Sequence, residues 1–377
     1  MSQHDVAVIG AGPAGVSVAL SLRDRGLRPL LIDRADHVGS SWRNRYDRLK
    51  LNTGRPFSHL PNRPYPRGTP MFPSRDQVVE HLDRHAREDG IELRLGTEVH
   101  RIEHRDGRWH VETSAGDIDA RQVVVATGYQ HSPHVPQFPG ADGFSADLLH
   151  SSEYRNPDPY QGRKVLVVGS GSSGMEIAHD LATGGAAKVW LAVRTPPNIL
   201  LRSLPGGLPG DLISRPLYRL PIGVADAIGR AARRKNLGDL TEFGLPIPDL
   251  GVMARVKRFG QVPALVDMEV IDAIRDGSIE VVATVESFDG DKVVLVDGSR
   301  LDPHAVVLAT GYRSGLEPLV GHLGVLDAKG KPVVWGERPA AQGLRFIGYD
   351  VRPSLIGYIA KQSKRVAKRI ARELSAG

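Results

Sequence analysis

Cysteine is absent from all 377 residues. That excludes disulfides, a CxxC redox pair and thiolate metal ligands. No uninterrupted apolar run reaches the roughly eighteen residues a membrane-spanning helix needs, so none is expected. The opening MSQHDVAVIG enters a strand pattern at once, leaving no room for a signal peptide, and a cytoplasmic protein is the expectation. The net charge is +6, but no nucleic-acid recognition motif accompanies it, so no nucleic-acid partner is expected. Much of the excess sits in KQSKRVAKRIAR, where Lys361, Lys364, Arg365, Lys368, Arg369 and Arg372 follow helical spacing opposite an Ile359, Val366, Ile370 and Leu374 stripe. That pattern reads as a docked helix with one solvated face.

What is present is a core-forming composition, 41% hydrophobic, and a repeated glycine turn. VAVIGAGPAGVSVA carries Gly10, Gly12 and Gly15; VVGSGSSGMEIA carries Gly169, Gly171 and Gly174 at the same spacing. Each follows an apolar strand and opens a helical pattern, and a second strand ends the unit, in RPLLID and in AKVWLAVR. Between the two lie a helix opened by Ser74 and short strands with hairpin signals at Asp106-Gly107 and Ala115-Gly116. These strands are expected to form an antiparallel layer over the parallel sheet.

Residues 195–262 change character, becoming rich in Pro, Gly and Leu. They read as a substrate lid, an apolar surface for a membrane, or a packed irregular insertion. QVVVATGY and HAVVLATGY echo one another, and each is taken to mark a chain crossing. The fold class is therefore α/β, with two dinucleotide-binding Rossmann-like domains, the second inserted in the first. Residues 1–155 and 305–377 are assigned to the first domain and 156–304 to the second.

A GxGxxG turn lets backbone approach a pyrophosphate, which the N–H groups of the following helix then meet. After the first turn Asp33 stands where an acid holds ribose hydroxyls and repels a 2′-phosphate. After the second, the strand ends in Arg194 with no acid, and a guanidinium suits a 2′-phosphate; an exposed strand-end arginine is the alternative. The first unit is thus expected to take FAD and the second NADPH. Two histidine pairs raise a metal. His81 and His85 share a helix face, for which a polar solvated face is the preferred reading. His100 and His104 fall on a strand, about 13 Å apart. No third ligand accompanies either pair, and no metal is expected.

These motifs, with GSSWRNRYDRLKLNTGRPFSHLP, HSSEYRNP, LGDLTEFGLPIPDLG and PALVDMEVIDAIRDGSIEVV, resemble the flavin-containing monooxygenases over nearly the whole chain, with YUCCA-type members the nearest likeness. The resemblance implies that NADPH reduces FAD and that a flavin C4a-(hydro)peroxide then transfers one oxygen atom of O2 to a small organic substrate. An aryl 2-oxo acid such as indole-3-pyruvate is the first candidate substrate and a soft nitrogen or sulfur centre the second. A flavin reductase serving a protein partner or oxygen stays open as the alternative, as does a homodimer.

By resemblance Asn52 lies at the flavin's reactive edge; the alternative is a turn residue before Gly54. YUCCA-type members usually carry other residues here. The flavin set comprises Gly10, Gly12, Pro13, Ala14 and Gly15 of the turn, then Asp33, Arg34, Ser41 and Trp42. Leu51, Asn52, Thr53, Val99, Ala126, Thr127 and Gly128 complete it. The nicotinamide set comprises Gly169, Ser170, Gly171, Ser172, Ser173, Gly174 and Arg194, with Thr310, Gly311 and Tyr312 closing a strand beside the cofactors. Phe138 and Gly140 begin a signature whose spacing to His150 is long. It ends in Tyr154 where ketone-oxidising members carry Trp, which argues against that chemistry. His150 and Tyr154 read as structural or hinge residues. A helix starting near Ser354 would aim N–H groups at the flavin.

Overall fold

The computed structural model describes residues 2–204, 207–350 and 355–376; Ser354 lies outside them. Strand β1 (Ser2–Ile9) leads through the first glycine turn into helix α1 (Pro13–Arg23) and back into β2 (Pro29–Ile32). Helix α2 (Ser40–Arg43) is a single turn. Helix α3 (Arg75–Glu88) opens on a capping box, in which Ser74 and Gln77 satisfy each other's backbone N–H groups.

Strands β3 (Glu92–Arg94), β4 (Val99–Arg105), β5 (Arg108–Thr113) and β6 (Ile118–Val125) complete the first sheet, in the order β3-β2-β1-β6-β5-β4. Its first four strands run parallel. The long β6 pairs with β1 along one edge and with two partners along the other. Its first half pairs antiparallel with β5, while Val123–Val125 pair in parallel with Leu344–Phe346. The antiparallel layer is thus an extension of the same sheet.

The link β7 (Ser132–Pro133) precedes β8 (Asp147–His150), β9 (Lys164–Val168), helix α4 (Ser172–Thr183) and β10 (Lys188–Ala192). A second, wholly parallel sheet has the order Glu280–Val282, β10, β9, Ala305–Leu308, β8. This corrects the expected division at 155 and 305. Ala305–Leu308 and β8 both belong to the second sheet, so the chain crosses between sheets within 126–146 and 309–343. There the two links pair with each other, Ser132 with Arg313 and Pro133 with Tyr312.

The central parallel strands of both sheets are buried on both faces, as helix-covered parallel strands require. Val6 and Val8 enter one core while Ala7 and Ile9 enter another. Val165 and Val167 are likewise separated from Leu166 and Val168. Each fully buried valine or leucine among them contributes on the order of 1.5–3 kcal/mol. Helix α1 is buried from Ala14 to Leu22 because the C-terminal helix Leu355–Ala376 covers it with Ile359, Val366 and Ile370.

Residues 195–262 are more regular than expected. Ile199–Leu201 pairs in parallel with Ala264–Val266, and three helices lie between them, Gly210–Leu217, Ile222–Leu237 and Val252–Phe259. The Asp226 carboxylate accepts from Met253 N at 2.7 Å and Ala254 N at 3.1 Å, tying the last two helices together. The solvated reading of His81 is also corrected. His81 is 3% exposed and stacks on Tyr65 with ring centroids 4.2 Å apart. Its helix face meets the Tyr65 loop, which the charged residues around it in sequence conceal.

Candidate active site at two glycine turns

The two turns are built by matching contacts. Gly10 N donates to Ile32 O at 2.7 Å, and Gly169 N to Ala192 O at 3.0 Å. Ala126 N donates to Ile9 O at 2.8 Å, and Ala309 N to Val168 O at 2.9 Å. Gly10 and Gly169 adopt φ of +103° and +118°, which favours glycine. A Cβ on Gly15 would stand 1.7 Å from Gly10 O, and one on Gly174 would stand 1.8 Å from Gly169 O. The first and third glycines are therefore dictated by the protein itself.

The middle glycines are not. A Cβ on Gly12 would meet only Ser41 Oγ, at 3.5 Å, and one on Gly171 would meet nothing within 4 Å. Helices α1 and α4 also lack a side-chain cap and an acidic residue in the first turn. Their first N–H groups consequently face an open cradle beside a partial positive charge. Such a cradle fits a pyrophosphate. Pro13 and Ala14 open α1, Ser172 and Ser173 open α4, and Ser170 Oγ donates to Thr195 O at 3.2 Å. The Ser172 hydroxyl accepts from Leu265 N at 2.9 Å, so the 199–201/264–266 pair docks onto the second turn.

The matching contacts also align the residues that leave each second strand. Ile32 corresponds to Ala192, so Asp33 corresponds to Val193 and Arg34 to Arg194. Asp33 Oδ2 accepts from Ala11 N at 2.6 Å and Oδ1 from Ala35 N at 2.9 Å, which holds an acid against the first turn. The second unit has an apolar side chain at that place. Arg34 and Arg194 are both exposed, and Arg194 has no ion pair among the described residues.

From α2 onward the chain leaves the first unit and reaches the second. Ser41 stands beside Gly12, Trp42 packs half-buried on the first core, and Leu51 is 4% exposed. Thr53 Oγ1 bonds Ser58 Oγ at 2.5 Å. Asn52 Oδ1 accepts from Arg202 Nη2 at 3.1 Å. The same guanidinium pairs with Glu176 of α4 and with Asp267, and Glu176 accepts from the Tyr46 hydroxyl. Gly54 N donates to Asp211 Oδ2 at 3.1 Å, and Arg215 lies 4.1 Å over the Phe57 ring. Burial raises the Asp211 carboxyl above its ordinary range, and among the described residues its Oδ1 has no hydrogen-bond partner. Burial also raises Glu176, against the pull of Arg202. Tyr46, Glu176, Arg202, Asp211 and Asp267 had no sequence signal; they meet only because the two units pack.

Other expected site residues are placed apart from this cluster. Val99 starts β4 and packs on the opposite core. Thr127 Oγ1 bonds Tyr349 OH at 2.8 Å, and Gly128 has open space on its Cβ side. Thr310 Oγ1 donates to His134 O at 2.5 Å. Tyr312 lies under the Arg45 guanidinium at 4.4 Å and also accepts from it. His150 is 2% exposed, with Nε2 at 3.0 Å from Gly311 O; Tyr154, 1% exposed, donates to Asp180 at 2.9 Å. Among the described residues, no group of three or more His, Cys, Asp or Glu could hold a metal, and no helix is long and apolar enough to cross a membrane.

Residues 7–198 match a family model described as pyridine nucleotide-disulphide oxidoreductase. Indole-3-pyruvate monooxygenase YUCCA1 of Oryza sativa subsp. japonica is 36% identical over 313 residues, covering 82% of this chain and 77% of that one. Probable indole-3-pyruvate monooxygenase YUCCA7 of Arabidopsis thaliana is 33% identical over 359 residues, covering 92% and 83%. The chain belongs to the flavin-containing monooxygenases, in their YUCCA-type branch. Among solved structures, the flavin-containing monooxygenase of Stenotrophomonas maltophilia shares the fold, with a TM-score of 0.75 at 22% identity over 99% of this chain and 100% of that one. Cyclohexanone monooxygenase bound to ε-caprolactone gives 0.76 at 19% identity, covering 100% and 89%. This flavin-containing monooxygenase shares its family model with disulphide oxidoreductases but has no cysteine for thiol chemistry.

Proposed function

We propose that the chain is an NADPH-dependent FAD monooxygenase that transfers one oxygen atom of O2 to a small aryl 2-oxo acid of the indole-3-pyruvate kind. The observation that carries this is the pair of uncapped cradles that differ at one place, Asp33 against Val193. Asp33 would hold the FAD ribose, which leaves no room for a 2′-phosphate. Arg194, beside an apolar Val193, would hold the 2′-phosphate of NADPH. Bound FAD would supply hydride acceptance and oxygen activation.

The chain's own residues bind, orient and exclude water. The insertion contacts residues 52–57 through Arg202, Asp211 and Arg215, leaving Gly54 buried and Asn52, Thr53 and Phe57 half-buried, and so would reduce water access there. Asn52 would offer its amide to the reacting atoms. The rice and Arabidopsis relatives are indole-3-pyruvate monooxygenases by name, which supports the substrate class. A basic nitrogen centre is the second reading, favoured by the buried Asp211 carboxyl with one oxygen unpartnered beside Gly54.

The test is a product balance. The FAD-loaded protein is given NADPH, O2 and indole-3-pyruvate, and the one-carbon-shorter acid, CO2 and H2O2 are measured against NADPH consumed. Near-stoichiometric acid and CO2 support the proposal. Turnover that ends wholly in H2O2 makes the chain a reductase or oxidase instead.

A further inference from the structure

We propose that Arg202 is a positioning residue: it fixes the Asn52 amide with Oδ1 occupied and Nδ2 offered, and it ties that orientation to helix α4 through Glu176. The proposal rests on the reading of Asn52 as the residue that meets the reacting atoms.

A guanidinium carries only donors, so the Asn52 atom 3.1 Å from Arg202 Nη2 must be the oxygen. The amide cannot turn over without setting N–H against N–H. Its nitrogen is therefore the group left to donate.

Arg202 is itself held from three sides. It is 4% exposed; Nη2 also donates to Glu176 Oε1, and Nη1 donates to Asp267 Oδ2. Glu176 Oε2 accepts from Tyr46, which lies six residues before Asn52 on the same segment. The contacts close a ring: Tyr46 to Glu176, Glu176 to Arg202, Arg202 to Asn52, and back along the chain. Glu176 stands in the first turns of α4, just past the second glycine turn, so a shift of α4 is felt at Asn52 through one rigid fork. Lysine has a single ammonium centre and cannot meet these partners in that planar geometry. A cleft of about 100 Å³ beside the ring is lined by Arg48, Lys50, His179 and Glu269 in addition to ring members.

The experiment is a double-mutant cycle on the FAD-loaded protein with Arg202→Lys, Asn52→Ala and the pair. Two quantities are read: the fraction of NADPH electrons recovered in product, and the visible circular dichroism of the bound flavin before any turnover. If Arg202 acts through Asn52, each single change lowers product recovery, Asn52→Ala by about tenfold, roughly the loss of one hydrogen bond. The pair is then no worse than Asn52→Ala alone, and the dichroism changes of the two singles coincide and do not add.

Multiplying effects, or wild-type recovery in Arg202→Lys, overturn the proposal and leave the reading of Asn52 standing. Wild-type recovery in Asn52→Ala removes that reading and the proposal with it. If Arg202→Lys fails to retain FAD, Glu176→Gln takes its place in the cycle, with partial loss of recovery and non-additivity expected and additivity contradicting.

Discussion

The first and second glycine turns are held by the same backbone bonds, crowded by the same alanine of an Ala-Thr-Gly-Tyr stretch, and left open at the same middle glycine. They differ in the residue that comes after the second strand. In the first unit a carboxylate is fixed against the turn; in the second, valine stands in its place and an exposed arginine is next to it. The lesson is that the glycines set a common cradle for a pyrophosphate. In the proposed reading one neighbouring position then selects which adenosine lies in it, because a carboxylate and a 2′-phosphate repel.

The largest way to break the comparison is to fill each turn separately. Gly15→Ala and Gly174→Ala would each drive a methyl into backbone, at a cost of roughly 3 kcal/mol or more in the affected unit. Gly15→Ala is expected to purify colourless. Gly174→Ala is expected to stay yellow yet resist reduction by NADPH, and visible absorbance with NADPH consumption separates the two.

A comparable effect, about 3 kcal/mol, belongs to acid. Burial lowers the His81 pKa from 6.5 to about 4. Between those values the unfolded chain binds a proton that the folded chain refuses, so stability is lost as pH falls through that window. Urea unfolding at several pH values checks the slope. His81→Phe, which keeps a ring on Tyr65, should flatten it.

Smaller again is the exchange of cofactor preference. Arg194→Ala should reduce the preference for NADPH over NADH by roughly one to two orders of magnitude, the loss of a charge-assisted contact. Adding Val193→Glu should reverse it. An unchanged kcat/KM ratio would remove Arg194 from the nucleotide site. The smallest effect is expected from Asp33→Asn, which keeps an acceptor for one turn N–H. FAD affinity should weaken by less than about tenfold in a fluorescence titration.

What is written in local sequence was legible: the strand–turn–helix setting of both glycine turns, Asp33 and Arg194 at the ends of their second strands, the Ser74 cap and the stripe of the last helix. Each rests on spacing within a few residues. The placement of Ala305–Leu308 was not legible, because the Ala-Thr-Gly-Tyr echo looks like a boundary mark. Its physical cause is instead that Ala126 and Ala309 each lie against the first glycine of their own sheet. The equivalence of Asp33 with Val193 needed the aligned backbone bonds. The ring of Tyr46, Glu176, Arg202 and Asn52 joins residues up to 156 positions apart, and no periodicity encodes such a meeting. His81 was hidden by charged neighbours on its own helix, because its burial comes from the loop carrying Tyr65.

The most direct measurement is anaerobic mixing of the FAD-loaded protein with NADPH, and separately with NADH, while the visible flavin band is followed. The account predicts that NADPH bleaches the band at least about tenfold faster than NADH at equal concentration, as one charge-assisted contact warrants. A flavin that stays oxidised with NADPH, or a chain that does not retain FAD, would contradict it.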